Sequence, residues 1–126
     1  MQALIDACTD PKWPAEIAVV ISNIEGAFGI KRAKDAGIPC HVISHRGRSR
    51  AAFEEELLSV LQDYSLRFVV LAGFMRLLSP VFLAYYPRRI INIHPSLLPA
   101  FPGMHAQEQA FNAKVKETGA TVHFVD

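Results

Sequence analysis

Short runs of β-branched and other apolar residues alternate along the chain with segments in which apolar residues recur every three or four positions. The runs fall at residues 17–21, 41–43, 68–72, 90–93 and 121–125, and their length and composition predict strands. Helical spacing covers residues 2–8, 27–36, 49–62, 80–85 and 105–116. Three boundaries carry their own chemical signals. Ser49 and Ser79 stand where a side-chain oxygen can cap a helix start, and Pro80 suits the first helical position. Gly37-Ile38-Pro39 is a helix stop. Strands that alternate with helices, several of them apolar along their whole length, predict an α/β fold with a mostly parallel sheet and helices on both faces. No repeat, linker or low-complexity segment interrupts the pattern, which predicts one domain over residues 1–126.

The pattern is abrupt at both ends. Residues 2–8 already read as the body of a helix, whereas a βαβ fold opens with a strand and a loop that can hold a phosphate on the helix N-terminus. The last strand is followed only by Asp126, at the edge where an active-site loop is expected. The chain therefore reads as a domain without its first strand and its C-terminal part.

Composition narrows the function classes. The chain is 51% hydrophobic and 20% charged, which suits a packed core and argues against disorder. Thirteen basic and twelve acidic residues give a formal charge of +1, with no basic stripe, so nucleic acid is not an expected partner. A small molecule is. Apolar stretches fall far short of the roughly 20 residues of a membrane span, and no membrane association is expected. Cys8 and Cys40 lack a CxxC spacing, and the N-terminus lacks a signal-peptide pattern, which together predict a reducing, cytoplasmic setting.

The decapeptide Ile90-Ile-Asn-Ile-His-Pro-Ser-Leu-Leu-Pro99 carries the chemistry. Asn92 and His94 stand two positions apart in a strand, hence on one face, and Pro95 ends the strand immediately. They meet at a strand's C-terminal end, where open α/β sheets bind ligands. An amide that binds a carbonyl oxygen, beside an imidazole that can carry a proton near neutral pH, suits an oxyanion site for acyl-type transfer. A histidine that merely hydrogen-bonds a loop carbonyl is the plainer alternative. His45, His105 and His123 have no metal-ligand spacing and read as structural or rim residues, so no metal is expected.

Four segments together make the sequence similar to a known family: Leu71-Ala-Gly-Phe-Met-Arg-Leu-Leu-Ser-Pro80, Asn92-Ile-His-Pro-Ser-Leu-Leu-Pro99, Phe101-Pro-Gly103 with residues 106–110, and Gly119-Ala-Thr-Val-His-Phe124. The chain resembles glycinamide ribonucleotide formyltransferases, folate-dependent enzymes of de novo purine synthesis, over nearly all its length. Methionyl-tRNA formyltransferase and formyltetrahydrofolate deformylase share a similar Asn-x-His core. The Phe-Pro-Gly and Gly-Phe-Met-Arg segments favour the purine enzyme.

The resemblance implies a Rossmann-like formyltransferase fold and transfer of a formyl group from 10-formyltetrahydrofolate to the amine of N1-(5-phospho-D-ribosyl)glycinamide. It makes His94 the catalytic acid and has Asn92 contact the formyl group. It places the folate ring against the backbone of Met75, Arg76, Leu77 and Leu78 and adds Arg50 to the folate site. By residue type alone, Arg50 is a solvated charge and Leu77 and Leu78 are core residues. The family's Gly-Ser-Asn phosphate loop would precede Gln2, and an aspartate that raises the histidine's pKa would lie beyond Val125. Neither is in this sequence, and Gly26 to Gly29 is not a substitute loop. That departure leaves open an inactive fragment or folate-binding remnant, or a related formyltetrahydrofolate-dependent formyltransferase or deformylase. An unrelated α/β binding module in which Asn92 and His94 only cap a strand is the remaining alternative.

Overall fold

Helices and strands alternate strictly from α1 to β5 in the computed structural model, which describes residues 1–126. The chain divides into two units, Met1–Leu66 and Arg67–Asp126. No helix is long and apolar enough to cross a membrane.

The first unit holds α1 (Gln2–Thr9), β1 (Val20–Ser22), α2 (Phe28–Asp35), β2 (Cys40–Val42) and α3 (Arg50–Gln62). Strands β1 and β2 run parallel, with Val20 opposite Cys40 and Ser22 opposite Val42. The ladder begins at Val20 rather than residue 17. Pro39 can contribute only its carbonyl, which accepts from the Val20 amide at 2.9 Å, so pairing cannot extend further back. Ile17 packs beside the ladder instead, against a core of Val20, Ile30 and Ala33.

Helix α2 stops as the sequence predicts. Gly37 adopts φ +72°, its amide donates to the Lys34 carbonyl at 3.0 Å, and the Ile38 amide reaches back to Ala33 at 2.9 Å. This pair of bonds is a Schellman cap, and the left-handed residue is one that glycine occupies without a Cβ penalty. Helix α3 is capped by Ser49, whose Oγ accepts from the Ala52 amide at 3.1 Å, and it buries Phe53, Leu57, Leu58 and Leu61 along one face.

The second unit holds β3 (Val69–Leu71), α4 (Pro80–Tyr85), β4 (Ile90–His94), α5 (Ala106–Asn112) and β5 (Thr121–Phe124). Its most buried side chains include Phe82, Ile90 and Ser96. The Phe82 and Tyr86 rings pack 6.0 Å apart, and the Arg89 guanidinium lies 5.6 Å from the centre of the Tyr86 ring. Helix α4 has the expected start: Ser79 Oγ accepts from the Phe82 amide at 3.2 Å, with Pro80 in the first turn. Helix α5 ends at Asn112, four residues before the predicted limit of 116, and Lys114 turns to φ 55°, outside the helical region.

Strand pairing follows the parallel expectation for β3 and β4, with Leu71 opposite Asn92. It departs from it at β5, which runs antiparallel to β4 with His94 opposite Thr121 and Asn92 opposite His123. The short α5 and residues 113–120 return the chain to the end of the sheet that β4 has just left, rather than to the end where β4 began. Thr121 Oγ1 donates to the Ser96 carbonyl at 2.7 Å there, which pins the start of β5 beside the end of β4.

Candidate active site

Strand β4 presents Ile90, Asn92 and His94 on one face and Ile91 and Ile93 on the other. Ile90 is fully buried, and Asn92 and His94 are half-buried at the exit from the sheet. The two side chains that the sequence singles out thus share a face at the C-terminal end of a strand.

Each has a partner that fixes its orientation. Asn92 Nδ2 lies 3.3 Å from Nε2 of His123, its cross-strand neighbour, whose Nδ1 lies 3.0 Å from the Phe124 carbonyl. A carbonyl only accepts, so His123 carries its proton on Nδ1 and its Nε2 lone pair receives the Asn92 amide hydrogen. That sets which way the Asn92 amide faces and leaves its Oδ1 and second N–H for a ligand. His94 Nε2 donates to the Phe101 carbonyl at 2.9 Å. Nδ1 is then the ring nitrogen left for chemistry.

His123, which residue spacing reads as structural or rim, therefore stands directly behind one of the two central side chains. An antiparallel register brings it there, and a parallel reading of the sheet conceals it. The other histidines fit the plainer reading. His45 Nδ1 lies 3.0 Å from Asn23 Nδ2 and its ring meets Phe53 edge-on, while exposed His105 precedes α5 and lies 3.9 Å from Glu108. No group of three His, Cys, Asp or Glu side chains converges as metal ligands do.

Residues 75–78 lie outside any helix or strand, in the connection from β3 to α4. Strands β3 and β4 are parallel and Leu71 is level with Asn92, so this connection leaves the sheet at the same edge as Asn92 and His94. Leu77 is 79% exposed and Met75 66%, which rules out a core role for Leu77; Arg76 and Leu78 are half-buried. A main chain outside regular structure, carrying exposed apolar side chains, suits a flat heterocycle that needs both donors and acceptors and an apolar cover.

Arg50 is the first residue of α3 in the other unit and is exposed. Of the arginines near it, Arg48 is the one tied down: it pairs with Glu56 and donates to the Ser44 and Ala52 carbonyls at 3.3 and 3.1 Å. The first unit also has a hollow of about 540 Å³ beyond β1 and β2, lined by Asn23, Ile24, Glu25, Val42, Ser44 and Arg46. None of the predicted site residues lines it.

Comparison with known proteins bears on this geometry. The sequence model of the formyl transferase family matches residues 1–126. Phosphoribosylglycinamide formyltransferase of Escherichia coli K12 is 47% identical over 126 residues, covering 99% of this chain and 59% of that protein. The trifunctional purine biosynthetic protein adenosine-3 of Drosophila pseudoobscura is 51% identical over 129 residues, which are 10% of its length. Among solved structures, glycinamide ribonucleotide transformylase 1 of Symbiobacterium toebii superposes with a TM-score of 0.93 at 47% identity, over 99% of this chain and 59% of that one. The chain thus spans under two thirds of the length of these relatives.

Proposed function

The chain belongs to the formyl transferase family, and from that premise we propose that it carries the formyl-transfer centre of a phosphoribosylglycinamide formyltransferase. The donor would be 10-formyltetrahydrofolate and the acceptor the amine of N1-(5-phospho-D-ribosyl)glycinamide, with both units belonging to one domain. The observation that carries the reading is the pairing of Asn92 and His94 on one half-buried face at the end of β4, each already oriented by a partner.

The chemistry follows from those two groups. The acceptor nitrogen attacks the formyl carbon, a C–N bond forms, and the carbonyl oxygen gains negative charge. The free N–H of Asn92 and a protonated Nδ1 of His94 stabilise that charge, and each fixed donor of this kind is worth about 3 kcal/mol in the transition state. As the bond from carbon to the folate nitrogen breaks, His94 gives its Nδ1 proton to the departing nitrogen, and the proton that the attacking amine sheds returns to the ring, which restores the starting imidazolium. The transfer is direct, with no covalent enzyme intermediate.

Met75, Arg76, Leu77 and Leu78 would take the pterin edge through their main chain, and Arg50 would meet the acidic tail of the folate. The shared sheet edge of residues 75–78 and Asn92 supports the first assignment, and the exposure of Arg50 the second. A cytoplasmic setting belongs to the same reading and is supported by Cys8 and Cys40, which are both unpaired. Titration of a 10-formyltetrahydrofolate analogue into the chain by calorimetry, with circular dichroism on the same sample, tests the proposal. Saturable binding that Arg50→Ala weakens is expected; the absence of binding by a folded chain would overturn it.

A further inference from the structure

A ring nitrogen that must gain and lose a proton has to be presented in one tautomer, and on β4 this depends on which carbonyl meets the other nitrogen. For His94 that carbonyl belongs to Phe101, seven residues along the chain, in the middle of the loop 95–105 that joins β4 to α5. Phe101 stands at φ 51°, left-handed backbone that a non-glycine residue adopts only when its surroundings impose it.

Two hydroxyl groups hold the stretch of loop that leads into it. Ser96, fully buried, donates its Oγ–H to the Ala100 carbonyl at 2.6 Å and so closes the loop one residue before Phe101. Thr121, opposite His94 on β5, donates Oγ1–H to the Ser96 carbonyl at 2.7 Å and accepts from the Leu98 amide at 2.9 Å. One hydroxyl from the neighbouring strand therefore ties two limbs of the loop together. The Ser96 amide donates to the His94 carbonyl at 2.9 Å and the Ala100 amide to Leu97 at 3.1 Å, which completes the frame.

We propose that Thr121 and Ser96 are positioning residues, whose hydroxyls form a clasp that holds the Phe101 carbonyl on His94 Nε2 and so fixes Nδ1 as the nitrogen that exchanges the proton. The inference rests on the formyl-transfer reading for its purpose, but the tautomer belongs to the resting chain and is measured without substrate.

The test is the long-range proton–nitrogen spectrum of the imidazoles in the full chain at about pH 8, above the ordinary imidazole range, with His94 assigned by its loss in His94→Gln. The native chain is expected to show His94 protonated on Nε2 and bare on Nδ1. Thr121→Ser keeps the hydroxyl and should keep this pattern. Thr121→Val keeps the shape without the hydroxyl, and Ser96→Ala breaks the other arm; each folded variant should give a mixture of tautomers. The proposal is overturned if the native chain carries its proton on Nδ1, if Thr121→Ser loses the pattern, or if no folded hydroxyl-deleting variant disturbs it. A native Nε2–H pattern that the clasp controls, in a chain that does not bind the formyl donor, would keep this inference while sinking the functional reading it serves.

Discussion

In the proposed mechanism Asn92 would contribute a donor only if its amide faces the right way, and the hydrogen bond to His123 sets that orientation. Asn92→Ala removes the donor itself and should lower kcat by about 10²–10³. His123→Ala leaves the donor present but free to rotate, so a loss nearer tenfold is expected, with KM for the folate little changed. Because one residue acts through the other, the two losses should not add: in the double variant His123→Ala should cost almost nothing further. Additive effects in steady-state kinetics would mean that His123 acts independently of Asn92. The residue scale is also where the sequence is most unevenly legible. A period of two placed Asn92 and His94 together without any structure. His123 escaped because its role depends on which strand it faces, and Phe101 because its contribution is a carbonyl, which no residue type signals.

Elements were legible wherever a local chemical signal marked a boundary. Pro80, the Ser49 and Ser79 caps and Gly37 each act within a few residues of themselves, and the corresponding helix ends fall within a residue of expectation. The limits of β1 and α5 were less legible, since one is set by a proline just before the partner strand and the other by a left-handed lysine with no glycine to announce it. The direction of β5 was hidden for the same reason: it depends on bonds from Thr121 to a loop some 25 residues earlier. Packing beside α4 makes a prediction of its own. Burial raises the Tyr86 phenol above its ordinary 10.0, with Arg89 pulling the other way. Above pH 10 the unfolded chain releases that proton while the folded chain retains it, so the contribution to stability is complete below pH 10 and lost as pH rises through the folded value. Denaturant unfolding measured from pH 8.5 to 11 should show Tyr86→Phe losing less stability than the native chain over that alkaline limb. Equal losses would mean that the phenol does not couple to folding.

For the whole molecule, an alternation of strands and helices was enough for the α/β class, and four sequence segments were enough for the family, which the match over residues 1–126 and a superposition at TM-score 0.93 now show. The family pattern spans both units, whereas the centre proposed for the reaction lies within Arg67–Asp126, on β4 and the segments that leave the sheet beside it. Binding and chemistry should therefore separate on mutation: the exposed arginine on α3 affects the donor's affinity, and the histidine on β4 affects turnover. The decisive measurement is formyl transfer from 10-formyltetrahydrofolate to glycinamide ribonucleotide by the native protein and its His94→Ala variant, with donor affinity determined on both. If His94 is the acid, kcat falls by about 10²–10⁴ while affinity for the donor stays within a few-fold; near-native turnover without the imidazole would contradict the mechanism at its centre.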